Sequence, residues 1–189
     1  TAYTKYSGTQ EITSDSYNGS FRLREVGRGN GIETYDMNEG TSYGSSVDFT
    51  DTDNLWNNIN SDIDEAATDA HWGAEMTYDY FLTKHQRNSI DNSGFKLKSY
   101  VHYDNQYNNA FWDGTRMTYG DGSNGNPFVG IDVVGHEISH GVTEYTANLD
   151  YAYESGALNE GFSDIFGTSI EFFGKPTSAN WLIGEDIGS

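Results

Sequence analysis

Residues 134–140 read Val134-Gly135-His136-Glu137-Ile138-Ser139-His140. Apolar residues recur at helical spacing here, which predicts a helix over 131–146. Two histidines four positions apart in a helix lie about 40° apart around its axis, so both imidazoles can reach one metal ion. Glu137 projects beside them and can polarise a metal-bound water. The alternative is a helix that carries two surface histidines.

The presence of a third ligand would distinguish a metal site from a helix with two surface histidines. A catalytic zinc site has three protein ligands and leaves the fourth position for water. The metzincin form of the motif continues with a glycine and a third histidine, which would fall at Thr143 and Thr146, so that pattern is excluded. Glu160 instead supplies a carboxylate on the next predicted helix, 155–173. Asp164, one turn later, is suited to accept the free N–H of a ligating histidine.

Several motifs resemble the thermolysin family of secreted zinc metalloendopeptidases, the bacterial neutral proteases. The similarity covers almost the whole chain, most clearly from Asp69 onward. The segments that carry it are His136-Glu137-x-x-His140, Gly141-Val142-Thr143-Glu144-Tyr145-Thr146-Ala147, Glu154-Ser155-Gly156-Ala157-Leu158-Asn159-Glu160 and Tyr107-Asn108-Asn109-Ala110-Phe111-Trp112.

The chain patterns and the resemblance predict an α+β fold. A strand-rich N-terminal domain with a long helix occupies 1–146 and ends in the central zinc-binding helix. Residues 147–189 form the first part of a mainly helical C-terminal domain, and we expect the remainder of that domain to be missing. This further helical segment is an expected partner, since the family takes an oxyanion-stabilising His and a substrate-binding Arg from it. After Glu160 the chain has neither residue type. Apolar side chains of the 155–173 helix should therefore be partly uncovered, among them Ile165, Phe166 and Ile170.

The resemblance also implies a role for individual residues. The expected reaction is hydrolysis of internal peptide bonds on the amino side of large apolar residues. It uses a zinc-activated water, with Glu137 as general base. The implied residues are His136, His140 and Glu160 as ligands of one catalytic Zn²⁺, Tyr151 at the oxyanion, Asp164 and Asn159 as partners of the two histidines, Asn109 and Ala110 on the edge strand that pairs with the peptide substrate, and Phe128 and Val133 in the apolar pocket.

A structural calcium site follows from helix geometry. Asp132 lies one turn before His136, and Glu171 lies about three turns and about 16 Å beyond Glu160. If the two helices are antiparallel, Asp132 and Glu171 converge away from the zinc ligands. Glu185 is then available from the following loop. Hard oxygen ligands of this kind suit Ca²⁺.

The number of calcium ions depends on two further positions. Larger members of the family hold two ions here, with acidic residues where this chain has Asn180 and Leu182, so we expect one. Asn180 can still offer its amide oxygen, and Leu182 its backbone carbonyl. Asp51 and Asp53 resemble another calcium site of the family, a possible second calcium.

The charged-residue composition limits the kinds of partner that the protein can bind. The net charge is −19, from 10 Lys and Arg against 29 Asp and Glu, which disfavours nucleic acid and anionic membrane surfaces and favours divalent cations. The chain has no cysteine, so bound calcium is a candidate for the stabilisation that disulfides give other secreted proteins. We expect a secreted, extracellular protein that has lost any targeting peptide.

The N-terminal half is expected to be strand-rich. Residues 1–50 lack helical periodicity, and Arg28–Gly31 is predicted as a hairpin turn between strands at 21–23 and 32–35. An amphipathic helix follows over 62–87, with Ser61 or Asp62 as its cap.

Two more strands and three histidines complete this region. Alternating residues predict a half-buried strand over 95–103, and another strand is predicted at 109–112. His71 and His85 are interpreted as structural, and His102 as a residue on the polar side of its strand.

Two other classes of protein explain part of this sequence pattern. An aminopeptidase pairs the same motif with a downstream glutamate, but it requires a Gly-x-Met-x-Asn segment that this sequence lacks. A calcium-stabilised non-catalytic binding domain accounts for the acidity and for Asp51 and Asp53. It leaves the arrangement from His136 to Asp164 unexplained.

Overall fold

Short strands and three long helices are the regular elements of the part of the chain that the structure describes. The computed structural model describes residues 1–60 and 64–188. In these ranges the helices are α1 Glu65–His85, α2 Ile131–Glu144 and α3 Tyr153–Gly174, with 3₁₀ turns at Tyr43–Ser45 and Glu185–Ile187. The strands are β1 Ala2–Tyr3, β2 Thr9–Gln10, β3 Asp15–Tyr17, β4 Ser20–Arg22, β5 Arg24–Glu25, β6 Ile32–Asp36, β7 Val47–Asp48, β8 Thr50–Asp51, β9 Leu97–Val101, β10 Ala110–Trp112 and β11 Met117–Tyr119. The α+β fold class is confirmed.

The main sheet has β9 at its centre and β10 at one edge. Its strand order is β10-β11-β9-β6-β5, and β7 also pairs with β6. β9 is parallel to both neighbours, β6 and β11. Four of its five residues are buried, so the prediction of a half-buried strand over 95–103 is wrong. The alternating sequence could not report that a neighbouring strand lies on each side and α1 packs across the sheet.

The predicted hairpin turn exists, but its first strand is displaced along the chain. Gly31 donates its N–H to the Arg28 carbonyl at 2.9 Å. The strand that pairs with β6 is β5, whereas β4 belongs to a separate sheet with β3 and β8. The chain changes sheets near Leu23, where the buried Arg24 guanidinium donates to the carbonyls of Leu23 and Thr34.

Helix α1 packs through small side chains against β6, β9 and α2. It is predicted over 62–87 and observed over Glu65–His85; the proposed caps Ser61 and Asp62 lie outside the described residues. His71 is fully buried, with Nδ1 2.9 Å from Thr34 Oγ1 and Nε2 2.9 Å from the Thr13 carbonyl, as expected of a structural histidine.

The other two histidines of this region differ from each other. His85 is exposed and contacts the rings of Tyr80 and Phe166. His102 lies just after β9 rather than on its polar side, and it is 5% exposed. Its Nδ1 is 2.8 Å from Asp121 Oδ1. Burial alone would lower the pKa of His102, but the carboxylate of Asp121 outweighs that effect and raises it. The alternating pattern could not reveal this partner, which is 19 residues away.

Helices α2 and α3 run antiparallel at close range. Gly174 meets Ile131 at one end, and Asn159 meets His140 at the other. Gly135 and Gly167 face each other, because a Cβ added to Gly135 would lie 3.2 Å from the Gly167 Cα. Glycine in a helix is unfavourable on propensity alone, so its role here is close helix packing.

The exposed face of α3 matches the prediction only in part. Ile165 is 61% exposed and Phe166 is partly exposed, as expected. Ile170 is 0% exposed, so its predicted exposure is wrong. Its side chain fills the space above Gly135, where an added Cβ would lie 2.9 Å from Ile170 Cδ1.

Candidate active site

The candidate metal centre lies where α2 and α3 meet. His136 Nε2 is 2.9 Å from His140 Nε2 and 3.1 Å from Glu160 Oε2, and His140 Nε2 is 3.7 Å from Glu160 Oε1. Tetrahedral coordination at zinc–ligand distances of 2.0–2.1 Å separates ligand atoms by roughly 3.3 Å. The three side chains can therefore hold one metal ion, and they are the only such group of three found in the described residues.

The tautomers of both histidines favour a cation. His136 Nδ1 is 2.8 Å from Asp164 Oδ1, and His140 Nδ1 is 2.8 Å from Asn159 Oδ1. Because these oxygens are acceptors, each Nδ1 carries the proton and each Nε2 presents a lone pair. Two lone pairs 2.9 Å apart repel unless a positive ion lies between them. Burial and the adjacent His140 lower the pKa of His136, which keeps it neutral and able to bind a metal.

Glu137 lies beside this centre without belonging to the ligand group. Its side chain is buried, and it lines both of the cavities that border His136. Burial and the charge of Glu160 raise the pKa of Glu137 to about 8. A carboxyl group in that range can both accept and release a proton near neutral pH.

An open cleft of about 640 Å³ runs along β10 and past the metal centre. Asn109 and Ala110 form part of its wall, at the edge of the main sheet. Tyr151 lines it too, with its ring centroid 6.0 Å from that of His140. The cleft therefore joins an unpaired strand edge to the metal centre.

A second, mainly apolar cavity of about 400 Å³ adjoins the cleft, and both are lined by Ala110, His136 and Glu137. The predicted Phe128 and Val133 both line it. Ile183 and Ile187, which sequence analysis missed, line it as well. Both lie in the segment after α3, where no periodicity indicated a direction for their side chains.

Comparison with known proteins identifies the family. The model of the thermolysin metallopeptidase catalytic domain matches residues 1–144, and that of the thermolysin metallopeptidase alpha-helical domain matches residues 147–189. The chain belongs to the thermolysin metallopeptidase family. The division at residues 146 and 147 stays a prediction.

Relatives in the thermolysin family are similar over nearly the whole chain. The thermostable neutral protease NprT of Geobacillus stearothermophilus is 49% identical over 179 residues, which are 93% of this chain and 32% of the relative. The transglutaminase-activating metalloprotease of Streptomyces mobaraensis is 45% identical over 99% of this chain and 25% of its own. The chain thus spans about a quarter to a third of these curated relatives.

A solved structure supports the same fold. The precursor of protealysin, a metalloproteinase from Serratia proteamaculans, superposes with a TM-score of 0.69 at 35% sequence identity. The match covers 93% of this chain and 52% of that one.

The residues predicted to bind calcium lie near one another at the far end of α2 and α3. Their oxygens are not close enough to form a ready-made ligand group like that of His136, His140 and Glu160. Asp132 and Glu171 are both buried, and burial is the main reason that the pKa of each is raised. The negative charge of Glu185 raises both pKa values further. Glu185 has a buried Oε2 with no hydrogen-bond partner. Lys175 Nζ lies 3.5 Å from Glu171 Oε1 and offsets part of the negative charge.

The other predicted calcium ligands are arranged less favourably. Asn180 turns its amide nitrogen toward Glu185, and its Oδ1 accepts the Leu182 N–H at 2.7 Å. Asp51 Oδ1 accepts the Asp53 N–H at 3.0 Å, and Asp53 Oδ1 accepts the Leu55 N–H at 3.0 Å. These two aspartates stabilise their own loop.

Three residues near the metal centre, Ser163, Trp112 and Glu144, were given no role from the sequence. Ser163 is fully buried, and its Oγ lies 3.1 Å from His140 Nδ1. Trp112 donates its Nε1–H to Glu144 Oε2 at 2.7 Å. The position of Ser163 one turn after Glu160 is a signal that sequence analysis could have used. The Trp112–Glu144 contact spans 32 residues and left no such signal.

Proposed function

We propose that this chain carries the metal centre of a secreted zinc-dependent endopeptidase. The observation that supports this best is the convergence of two histidine lone pairs and the Glu160 carboxylate beside a buried Glu137 and an open strand edge. The donor set suits zinc, since imidazole and carboxylate are ordinary zinc ligands. No helix among residues 1–60 and 64–188 is long and apolar enough to span a membrane.

Substrate binding follows from the edge of the sheet. β10 pairs with β11 on one side only, so its other edge can bind an extended peptide through main-chain hydrogen bonds at Ala110. The Asn109 carbonyl already accepts the Gly120 N–H at 3.0 Å, so Asn109 meets the peptide through its side chain. Phe128 and Val133 receive a large apolar side chain that follows the cleaved bond. Cleavage therefore occurs on the amino side of such residues.

Catalysis divides among the residues that face the cleft. Zinc, when bound by His136, His140 and Glu160, would supply Lewis-acid catalysis. Glu137 takes a proton from the attacking water and delivers it to the departing amine. Tyr151 donates a hydrogen bond to the developing oxyanion. Asp164 and Asn159 hold the imidazoles in the tautomer that presents Nε2.

The test is hydrolysis of an internally quenched peptide whose two ends are acetylated and amidated. We expect the full-length protein to cut it before a phenylalanine or leucine, to lose activity when zinc is chelated, and to regain it when zinc returns. The blocked ends separate an endopeptidase from an aminopeptidase. A zinc-loaded protein that leaves the blocked peptide intact would refute the proposal.

We also propose that Asp132, Glu171 and Glu185 bind one structural Ca²⁺, with the Leu182 carbonyl and the Asn180 side chain completing the site. The buried, unpartnered oxygen of Glu185 and the clustered carboxylates support this assignment. Asn180 must turn its amide over to present oxygen. Asp51 and Asp53 remain a possible second calcium site.

Calcium removal is expected to lower the melting temperature, reversibly on adding Ca²⁺ but not Zn²⁺ alone. The raised pKa values of Asp132 and Glu171 in the ion-free protein mean that it binds protons more readily than the unfolded chain. Its stability therefore falls as pH rises, and the gap between calcium-loaded and chelated protein should be wider at pH 7.5 than at pH 5. Equal melting temperatures with and without calcium at pH 7.5 would contradict the site.

A further inference from the structure

The part of the cleft that lies near Trp112, at the end of β10, is acidic. Besides Glu137 and Glu160, the side chains of Asp113 and Glu144 line it. Its lining, taken over the described residues, contains no lysine or arginine. The apolar cavity lies in the other direction, so the two sides of the centre differ in chemistry.

Trp112 and Glu144 form a hydrogen-bonded pair that lines this cleft. The Trp112 Nε1–H donates to Glu144 Oε2 at 2.7 Å, while the indole packs edge-to-face on Phe95 at 5.9 Å between centroids. A Cβ added to Gly141 would lie 3.2 Å from the ring, so the backbone of α2 supports the indole from behind. Glu144 Oε1 stays available to another donor.

Glu144 is an exposed acidic side chain that accepts a hydrogen bond from Trp112 but forms no ion pair within the described residues. It is the last residue of α2, where the helix dipole disfavours an anion, and the last turn of that helix has no basic residue. None of the ion pairs among residues 1–60 and 64–188 includes Glu144. Asp113, by contrast, is paired with Arg116 at 3.1 Å.

We propose that Trp112 and Glu144 form a subsite for a lysine or arginine side chain of the substrate. The indole covers the aliphatic stem, and the carboxylate pairs with the charged end. This inference rests on the proposed function, in which the apolar cavity receives the residue after the cleaved bond. The basic residue then belongs to the two positions before that bond.

The distance along the edge strand agrees with this assignment. Ala110 borders both cavities, and Trp112 follows two residues later in β10. Two residues of a strand span about 7 Å, and an extended peptide paired with β10 advances by the same amount. A side chain one or two residues before the cleaved bond is therefore within reach of Glu144.

The test compares blocked peptides that differ only in lysine or norleucine, placed one or two residues before the cleaved bond. Norleucine keeps the stem and removes the charge. In the full-length, zinc-loaded protein, we expect kcat/KM to favour the lysine peptide by roughly threefold to fivefold at one of these positions, the range of an exposed ion pair. The preference should shrink in high salt.

Substitutions of Glu144 test whether this residue causes the preference for lysine over norleucine. Glu144→Gln keeps an acceptor for the indole, and the lysine-to-norleucine ratio should fall to about 1, while Glu144→Lys should invert it. Glu154→Gln removes the same charge from an exposed residue that does not line the cleft, and it should leave the ratio unchanged. Cleavage of both wild-type peptides at equal rates would overturn the subsite and leave the proposed function standing. Cleavage of neither would refute the proposed function, and the subsite with it.

Discussion

Replacing Glu137 with glutamine is expected to lower kcat/KM for a blocked peptide by about 10²–10⁴-fold, the usual contribution of a general base. Glutamine has nearly the same shape and keeps the packing of this buried position, but it cannot accept the proton. Glu137 stands outside the group His136, His140 and Glu160, so the variant should retain one zinc per chain. The measurements are steady-state hydrolysis and metal analysis of the same preparation.

A matched variant separates the base from the ligands. Glu160→Gln makes the same chemical change on a residue whose carboxylate faces His136 Nε2 at 3.1 Å. It should lose zinc and activity together, whereas Glu137→Gln loses activity alone. Near-normal turnover by Glu137→Gln with stoichiometric zinc would show that another group moves the proton.

Replacing Gly167 with alanine is expected to reduce stability and zinc affinity together. The added Cβ would lie 2.4 Å from the Asp132 carbonyl oxygen and 3.3 Å from the backbone nitrogen of His136, so α2 and α3 must separate. Overpacking of this kind typically costs about 1–3 kcal/mol of unfolding free energy. Separation of the helices also moves Glu160 away from the two histidines, which weakens the metal centre.

Gly161 provides the control within the same helix. A Cβ there meets nothing within 4 Å, so Gly161→Ala should raise stability by up to about 1 kcal/mol through helix propensity. Urea unfolding with and without zinc, together with zinc competition against a chromophoric chelator, measures both effects. If Gly167→Ala were as stable as Gly161→Ala and bound zinc equally well, close helix packing would not be the reason for this glycine.

The metal centre could be predicted from the sequence because its determinants are local. His136 and His140 share a helix face through their four-residue spacing, and Glu160 and Asp164 do so on the next helix. Helix geometry converts such spacings into directions without knowledge of the fold. The same reasoning placed Asp132 and Glu171 near each other at the other end of the two helices, where burial and the charges of nearby carboxylates raise their pKa values.

The sequence by itself thus determined the fold class, the helices and the three side chains that form the candidate metal centre. The tertiary structure alone decided which strand is central, that His102 is buried against Asp121 and that Ile170 is covered. It also decided that Ile183 and Ile187 line the apolar cavity and that the Trp112–Glu144 pair borders the cleft. The physical reason is that periodicity reports which side of an element a residue occupies. Burial depends on what packs against that side, and the packing partners here lie far away in sequence.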